Sequence, residues 1–92
     1  MKKIKPVAMV TGASSTLGQA ICRKLAEEGY DLILHYGRSR TKTRILAREL
    51  AAAGTKTTLL SLDLSRPEAA QKGLKSFLRR VGRLDLLVNN AS

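Results

Sequence analysis

Acidic residues are scarce in this chain. Seven Asp and Glu stand against seventeen Lys and Arg, a formal net charge of +10 over 92 residues. Such a field attracts anions, but the cations share no single face: Arg23-Lys24, Arg38-Arg40-Lys42-Arg44-Arg48, Lys72-Lys75 and Arg79-Arg80-Arg83 are spread over every segment. Aromatics are scarcer still. Tyr30, Tyr36 and Phe77 are the whole set, too few to build a platform for stacked bases. A small anionic molecule suits the charge better than a nucleic acid, and the Lys2-Lys3-Lys5 cluster reads as a solvated tail. Cys22 is the single cysteine, so no intramolecular disulfide can form, as fits a cytoplasmic protein. It is expected to pack on the first helix rather than act as a nucleophile. No apolar run approaches the ~18 residues of a membrane span, and the basic start is followed by no apolar signal region. Linkers, repeats and low-complexity tracts are also missing.

What remains is a regular alternation. The 43% hydrophobic content belongs to a globular chain, of one domain at most. Residues 7–11 read as a buried strand. Leu17, Ile21 and Leu25 recur every fourth residue and describe a helix ending near Gly29. Residues 31–36 form a second strand. Ile45, Leu46, Leu50 and Ala53 mark a second helix, with Gly54 where a C-terminal cap belongs. Residues 57–62 form a third strand. Ser65 then reads as an N-cap, followed by Pro67 and the early acid Glu68. Ala70, Leu74, Phe77, Leu78 and Val81 give a third helix its apolar face, closing at Gly82. Residues 84–89 form a fourth strand. The order βαβαβαβ, with near-continuous apolar strands, predicts an α/β fold whose parallel sheet is covered on both faces.

The chemistry concentrates at the ends of the strands, where open α/β sheets bind ligands. Thr11-Gly12-Ala13-Ser14-Ser15-Thr16-Leu17-Gly18 joins the first strand to the first helix. A helix start offers unpaired N–H groups and the positive end of its dipole. Gly12 allows a sharp turn, Gly18 a close approach of helix to sheet, and the short side chains between them let a phosphate reach the backbone. The strict G-x-G-x-x-G pattern is absent. The second strand ends in Tyr36-Gly37-Arg38-Ser39 with no acid. An NAD site places Asp or Glu there for the ribose 2′-hydroxyl, whereas arginine with a hydroxyl suits a 2′-phosphate. The other reading of residues 38–40 is a solvated turn. His35 precedes the strand end with no acid to orient it, so it is read as a strand side chain and not a base. Asp63-Leu64 follows the third strand and Asn89-Asn90-Ala91-Ser92 the fourth.

These four motifs, in this order, resemble the N-terminal half of the short-chain dehydrogenase/reductase family over essentially the whole chain. Thr16 stands in place of the middle glycine of that family's T-G-x-x-x-G-x-G turn. The resemblance implies a Rossmann-like doubly wound sheet of order 3-2-1-4, incomplete after the fourth strand, and NADP(H) as cofactor. It implies cofactor contacts from Gly12, Ser14, Ser15, Thr16, Leu17 and Gly18 in the turn, and from Tyr36, Arg38 and Ser39. Asp63 would meet the adenine amino group with Leu64 beside the ring, or else Asp63 caps the turn before Ser65. Asn90, Ala91 and Ser92 would line the ribose–nicotinamide side, while Asn89 ties strands together. The stretch from His35 to Ser39 with Asn-Asn-Ala-Ser is most similar to pteridine reductases, then to 3-oxoacyl-carrier-protein reductases; the former usually place arginine where Thr16 stands.

The family's catalytic Ser or Asp and its Tyr-x-x-x-Lys pair have no counterpart here, since neither Tyr30 nor Tyr36 is followed by lysine at the fourth place. No residue is assigned to catalysis or to a metal. The expectation is residues 1–92 as the cofactor half of one domain, its small-molecule substrate bound only by a longer parent and its apolar fourth strand inviting self-association. The alternatives are an autonomous nucleotide-binding half-Rossmann module and a basic nucleic-acid domain.

Overall fold

Strand β1 (Val7–Val10) lies at the interior of a four-stranded parallel sheet. Its neighbours are β2 (Asp31–Tyr36) and β4 (Leu86–Val88), and β3 (Thr57–Ser61) lies outside β2, giving the order β3-β2-β1-β4. The computed structural model describes residues 4–91, so Ser92 and the Lys2-Lys3 part of the basic tail lie outside the described residues. Register is continuous: Val7 pairs with Asp31, Val10 with Leu34 and Val88, and Leu34 with Leu59. The expected strand order is observed.

Alternation along the strands divides the apolar residues between two layers. Ala8, Val10, Leu32 and Leu34 face helices α1 (Thr16–Glu27) and α2 (Arg40–Ala52), where Cys22, Leu46, Ala47 and Leu50 complete one core. Met9 and Ile33 point the other way, toward Leu60 and Phe77 of α3 (Pro67–Val81). Of the five apolar residues expected on the inner face of α3, Phe77 is buried in that core with Leu74, Leu78 and Val81 half-buried against it, and Ala70 is buried as well. The helix stops at Gly82, whose φ of +76° closes it in the left-handed region.

Several expectations need correction. Strands β1 and β3 stop one residue short of the expected 11 and 62, and Ala53 is exposed and follows α2 at its cap position. Leu17 is 64% exposed and Ile45 60% exposed. The inward stripe of α1 runs through Gly18 and Cys22, and that of α2 through Thr43, Leu46, Ala47 and Leu50. Ser65 does not cap α3. Arg66 holds the cap position, while the Ser65 hydroxyl donates to Asp63 at 2.6 Å. The fourth strand is only three residues long, because Leu84 packs toward α3 and Asn90 turns in to Thr11. Leu87, on the α3 side of β4, is 53% exposed, so this edge strand is not covered on both faces. No helix among the described residues is long and apolar enough to cross a membrane.

Candidate functional site

The carboxyl ends of β1 and β4 open into a cleft of about 640 Å³ lined by Gly12, Ser15, Thr16, Leu17, Asn90 and Ala91. Its floor is the turn that leads into α1. Gly12 has φ +61°, and a Cβ there would lie 3.2 Å from the Cα of Ala91. At Gly18 a Cβ would collide with the Gly12 carbonyl and come within 2.8 Å of the Ala13 oxygen and 2.9 Å of Asn90 Nδ2. Gly18 thus packs against the turn itself rather than against the sheet. The Ser15 side chain caps α1 by accepting the Gly18 N–H at 3.0 Å, as its residue type favours. Ser15 N–H is bound to the Gly12 carbonyl. The N–H groups of Thr16 and Leu17 have no acceptor among the described residues; they are orphan donors at the positive end of the helix.

The walls are held by side chains of β1 and β4. Thr11 Oγ1 accepts the N–H groups of Asn90 and Ala91 at 2.9 and 3.0 Å, and its proton goes to Asn89 Oδ1 at 3.2 Å. Asn90 Nδ2 donates to the carbonyls of Thr11 and Gly12 and to Ser15 Oγ, all within 3.1 Å. The strand-tying role expected of Asn89 therefore falls mainly on Asn90. From β2, buried His35 accepts the Gly12 N–H at 3.1 Å and meets the Leu62 carbonyl at 2.9 Å. This agrees with its reading as a strand side chain.

Beside the turn a second cleft of about 390 Å³ runs between α1 and α2, lined by Ser14, Ser15, Thr16, Lys42 and the pair Arg23–Glu49 among others. Arg23 binds Glu49 through two nitrogens, at 2.7 and 3.0 Å. That bond holds the Glu49 carboxyl below its ordinary range. Lys42 forms no ion pair among the described residues.

The remaining predicted residues form a separate group along the same edge of the sheet. Tyr36 is half-buried, and Arg38, Ser39, Asp63 and Leu64 are exposed. Ser39 occupies the N-cap position of α2, yet only its carbonyl is engaged, by the Thr43 hydroxyl at 2.7 Å and the Thr43 N–H at 3.1 Å. Asp63 Oδ1 takes both the hydroxyl and the N–H of Ser65, so the capping role is realised. These bonds, with Arg66 and Arg38 nearby, hold its carboxyl below the usual range. Cys22 is fully buried, and burial pushes its thiol up to about 12, the state of an inert packing group.

Reasoning from sequence missed the hydrogen-bonding parts of Thr11 and His35 and the placement of Lys42. The first two depend on strand neighbours 23 and about 78 residues away, which no local pattern reveals. Lys42 could have been found as the cation one helical turn after Ser39.

A family model described as short chain dehydrogenase matches residues 6–92. The chain belongs to that family. It is 34% identical over 89 residues to the 3-oxoacyl-[acyl-carrier-protein] reductase FabG of Staphylococcus aureus, covering 97% of this chain and 36% of the relative. The corresponding protein of Staphylococcus epidermidis is 33% identical over 84 residues, covering 91% and 34%. Among solved structures, a metagenomic short-chain oxidoreductase in complex with NADP superposes with a TM-score of 0.85 at 41% identity, covering 95% of this chain and 39% of that one. Acetoin dehydrogenase from Enterobacter cloacae superposes at 0.87 with 36% identity, covering 99% and 36%. The chain spans about a third of the length of the curated relatives it matches. These relatives are named as ketoacyl reductases and lend no support to the pteridine-type resemblance.

Proposed function

We propose that this chain is the NADP(H)-binding part of a short-chain dehydrogenase/reductase that reduces a carbonyl group. The observation that carries the reading is the turn: two uncommitted N–H groups, of Thr16 and Leu17, at the mouth of a cleft where a Cβ at Gly18 would collide with backbone and one at Gly12 would crowd Ala91. A pyrophosphate fits those donors and the helix dipole. Ser14 and Ser15 keep the approach to the backbone short, and Asn90, Ala91 and Ser92 follow the cleft toward the ribose–nicotinamide end.

The choice of NADP rests on β2. Arg38 is exposed, the Ser39 hydroxyl is not used as a cap, and no carboxylate ends the strand. A guanidinium and a hydroxyl suit a 2′-phosphate, and Lys42 beside the turn adds a cation where the turn itself has none. Tyr36 would flank the adenosine, and Asp63 Oδ2 is left to accept the adenine amino group with Leu64 against the ring. Bound NADPH supplies the hydride. The general acid and its lysine partner would belong to a part of the domain outside this sequence, along with the small-molecule substrate site. Ketoacyl-reductase relatives favour a ketone over a pterin ring as that substrate. Cys22 is a free thiol, and a reducing, cytoplasmic setting is part of this proposal.

Titration of the chain with NADPH and NADH, followed by cofactor fluorescence, tests this reading. Saturable binding of NADPH with weaker binding of NADH is expected, and no saturable binding of either would overturn it.

A further inference from the structure

His35 is 3% exposed and its ring bridges two loops at the ends of β1 and β3. Nδ1 lies 3.1 Å from the Gly12 N–H in the turn, and Nε2 lies 2.9 Å from the Leu62 carbonyl, just before Asp63 and Leu64. A backbone N–H can only donate, so Nδ1 carries no proton. A carbonyl can only accept, so Nε2 carries it. One neutral tautomer satisfies both contacts. The His35 carbonyl adds a third tie, accepting the Ala13 N–H at 3.0 Å.

Gly12 is held from the other side as well. Its carbonyl accepts the Ser15 N–H at 3.2 Å and Asn90 Nδ2 at 3.0 Å. The residue on which the turn reverses is therefore anchored at both its N–H and its C=O, and His35 supplies the N–H anchor. Without an acceptor there, that N–H would be an unpaired donor in a part-buried site, and such a group drives its surroundings to rearrange. The peptide that would move is Thr11–Gly12, and the Gly12 carbonyl next to it holds the Ser15 N–H at the start of α1, beside Thr16 and Leu17.

We propose that His35 is a positioning residue for cofactor binding: through Gly12 it fixes the turn that presents the Thr16 and Leu17 N–H groups, and through Leu62 it ties that turn to the loop carrying Asp63 and Leu64. The inference rests on the reading of the turn as a pyrophosphate site. His35 itself touches no cofactor.

Asparagine and leucine separate this role from simple packing. In His35→Asn, Oδ1 takes the place of Nδ1 and still accepts from Gly12; in His35→Leu nothing does. NADPH affinity of the chain is expected to stay within about threefold of wild type for His35→Asn and to fall about tenfold or more for His35→Leu, the scale of one lost hydrogen bond with its partner left unpaired. If thermal melting shows that His35→Leu does not fold, His35→Phe replaces it, since its ring keeps the planar packing but puts no acceptor at Gly12. Equal affinities for His35→Asn and the variant lacking the acceptor would overturn the proposal while leaving the cofactor reading intact. Failure of wild type to bind NADPH would sink the cofactor reading instead. A ¹⁵N spectrum of the wild-type imidazole decides the geometry independently of any ligand: a bare Nδ1 and a protonated Nε2 are expected, and a protonated Nδ1 would overturn it.

Discussion

At the scale of single residues, the turn at 11–18 is defined by what it cannot accommodate. Gly18 has carbonyl and amide groups of residues 12, 13 and 90 within the reach of one added carbon, and backbone cannot move aside cheaply as a flexible side chain can. Gly18→Ala is therefore expected to abolish NADPH binding, as is Gly12→Val, where the side chain would meet both a positive φ and Ala91. Retained affinity in either variant, measured by cofactor fluorescence, would mean that the turn is not the phosphate site. Arg38 makes a different kind of prediction. On the proposed NADP reading, replacing it with aspartate would remove a charge-assisted contact worth roughly 1.5–3 kcal/mol and supply the acid that a ribose 2′-hydroxyl prefers. The NADPH/NADH affinity ratio should fall by about tenfold to a hundredfold. An unchanged ratio in Arg38→Asp would remove the basis for choosing NADP. The two glycines were legible in the sequence because each acts through its own backbone freedom and lack of a Cβ. Thr11 and His35 were not, since their partners come from other strands.

At the scale of elements, Asp85 shows how a short strand is placed. Its Oδ2 accepts the Val7 N–H at 2.8 Å, its own N–H donates to the Val7 carbonyl at 2.8 Å, and Arg83 Nε lies 2.8 Å from the same carboxylate oxygen. This two-way clasp aligns β4 with β1 just before the ladder begins at Ala8 and Leu86. Arg83 first, then the Val7 N–H, hold the Asp85 carboxyl below its ordinary value. A carboxyl depressed by folding contributes stability above its unfolded pKa, and that contribution is lost as pH falls through the lower, folded value. Acid melts of wild type and Asp85→Asn should thus converge at low pH and separate toward neutrality, with wild type the more stable. Parallel curves across the acid range would show that the clasp contributes nothing. The same element marks where sequence reading stopped. Apolar runs at 7–11, 31–36 and 57–62 announce three strands; β1 and β3 each stop one residue earlier, and in β2 both ends are where the pattern puts them. For the fourth, the run from Leu84 reads as six strand residues, but Leu84 serves the α3 layer and Asn89 and Asn90 serve Thr11. Likewise Ser65 had the side chain of a cap, and Asp63 two residues earlier claimed it.

At the scale of the whole molecule, the described residues have a radius of gyration of 12.6 Å, against about 12 Å expected for a compact domain of this length. Compactness leaves one strand edge open. β4 pairs only with β1, and Leu87 stays half-exposed on the face that α3 leaves open. An unpaired strand edge beside an exposed leucine favours pairing with another chain, and in a domain of this size such a contact is a sizeable addition to the buried surface. Net charge opposes it. Two copies carrying +10 each repel until ions screen them, over a distance that shrinks from ~30 Å at 0.01 M salt to ~10 Å at 0.1 M. Self-association of this chain should therefore be weak at low ionic strength and strengthen as salt is added, the reverse of an assembly held by ion pairs. Sedimentation velocity at the two salt concentrations, with Leu87→Lys as a control that burdens the edge with a charge, reads this directly. Association that rises with salt and disappears in Leu87→Lys is the expected result. A monomer under both conditions that melts cooperatively would instead show that β4 needs no cover and that these four strands stand as an autonomous folding unit.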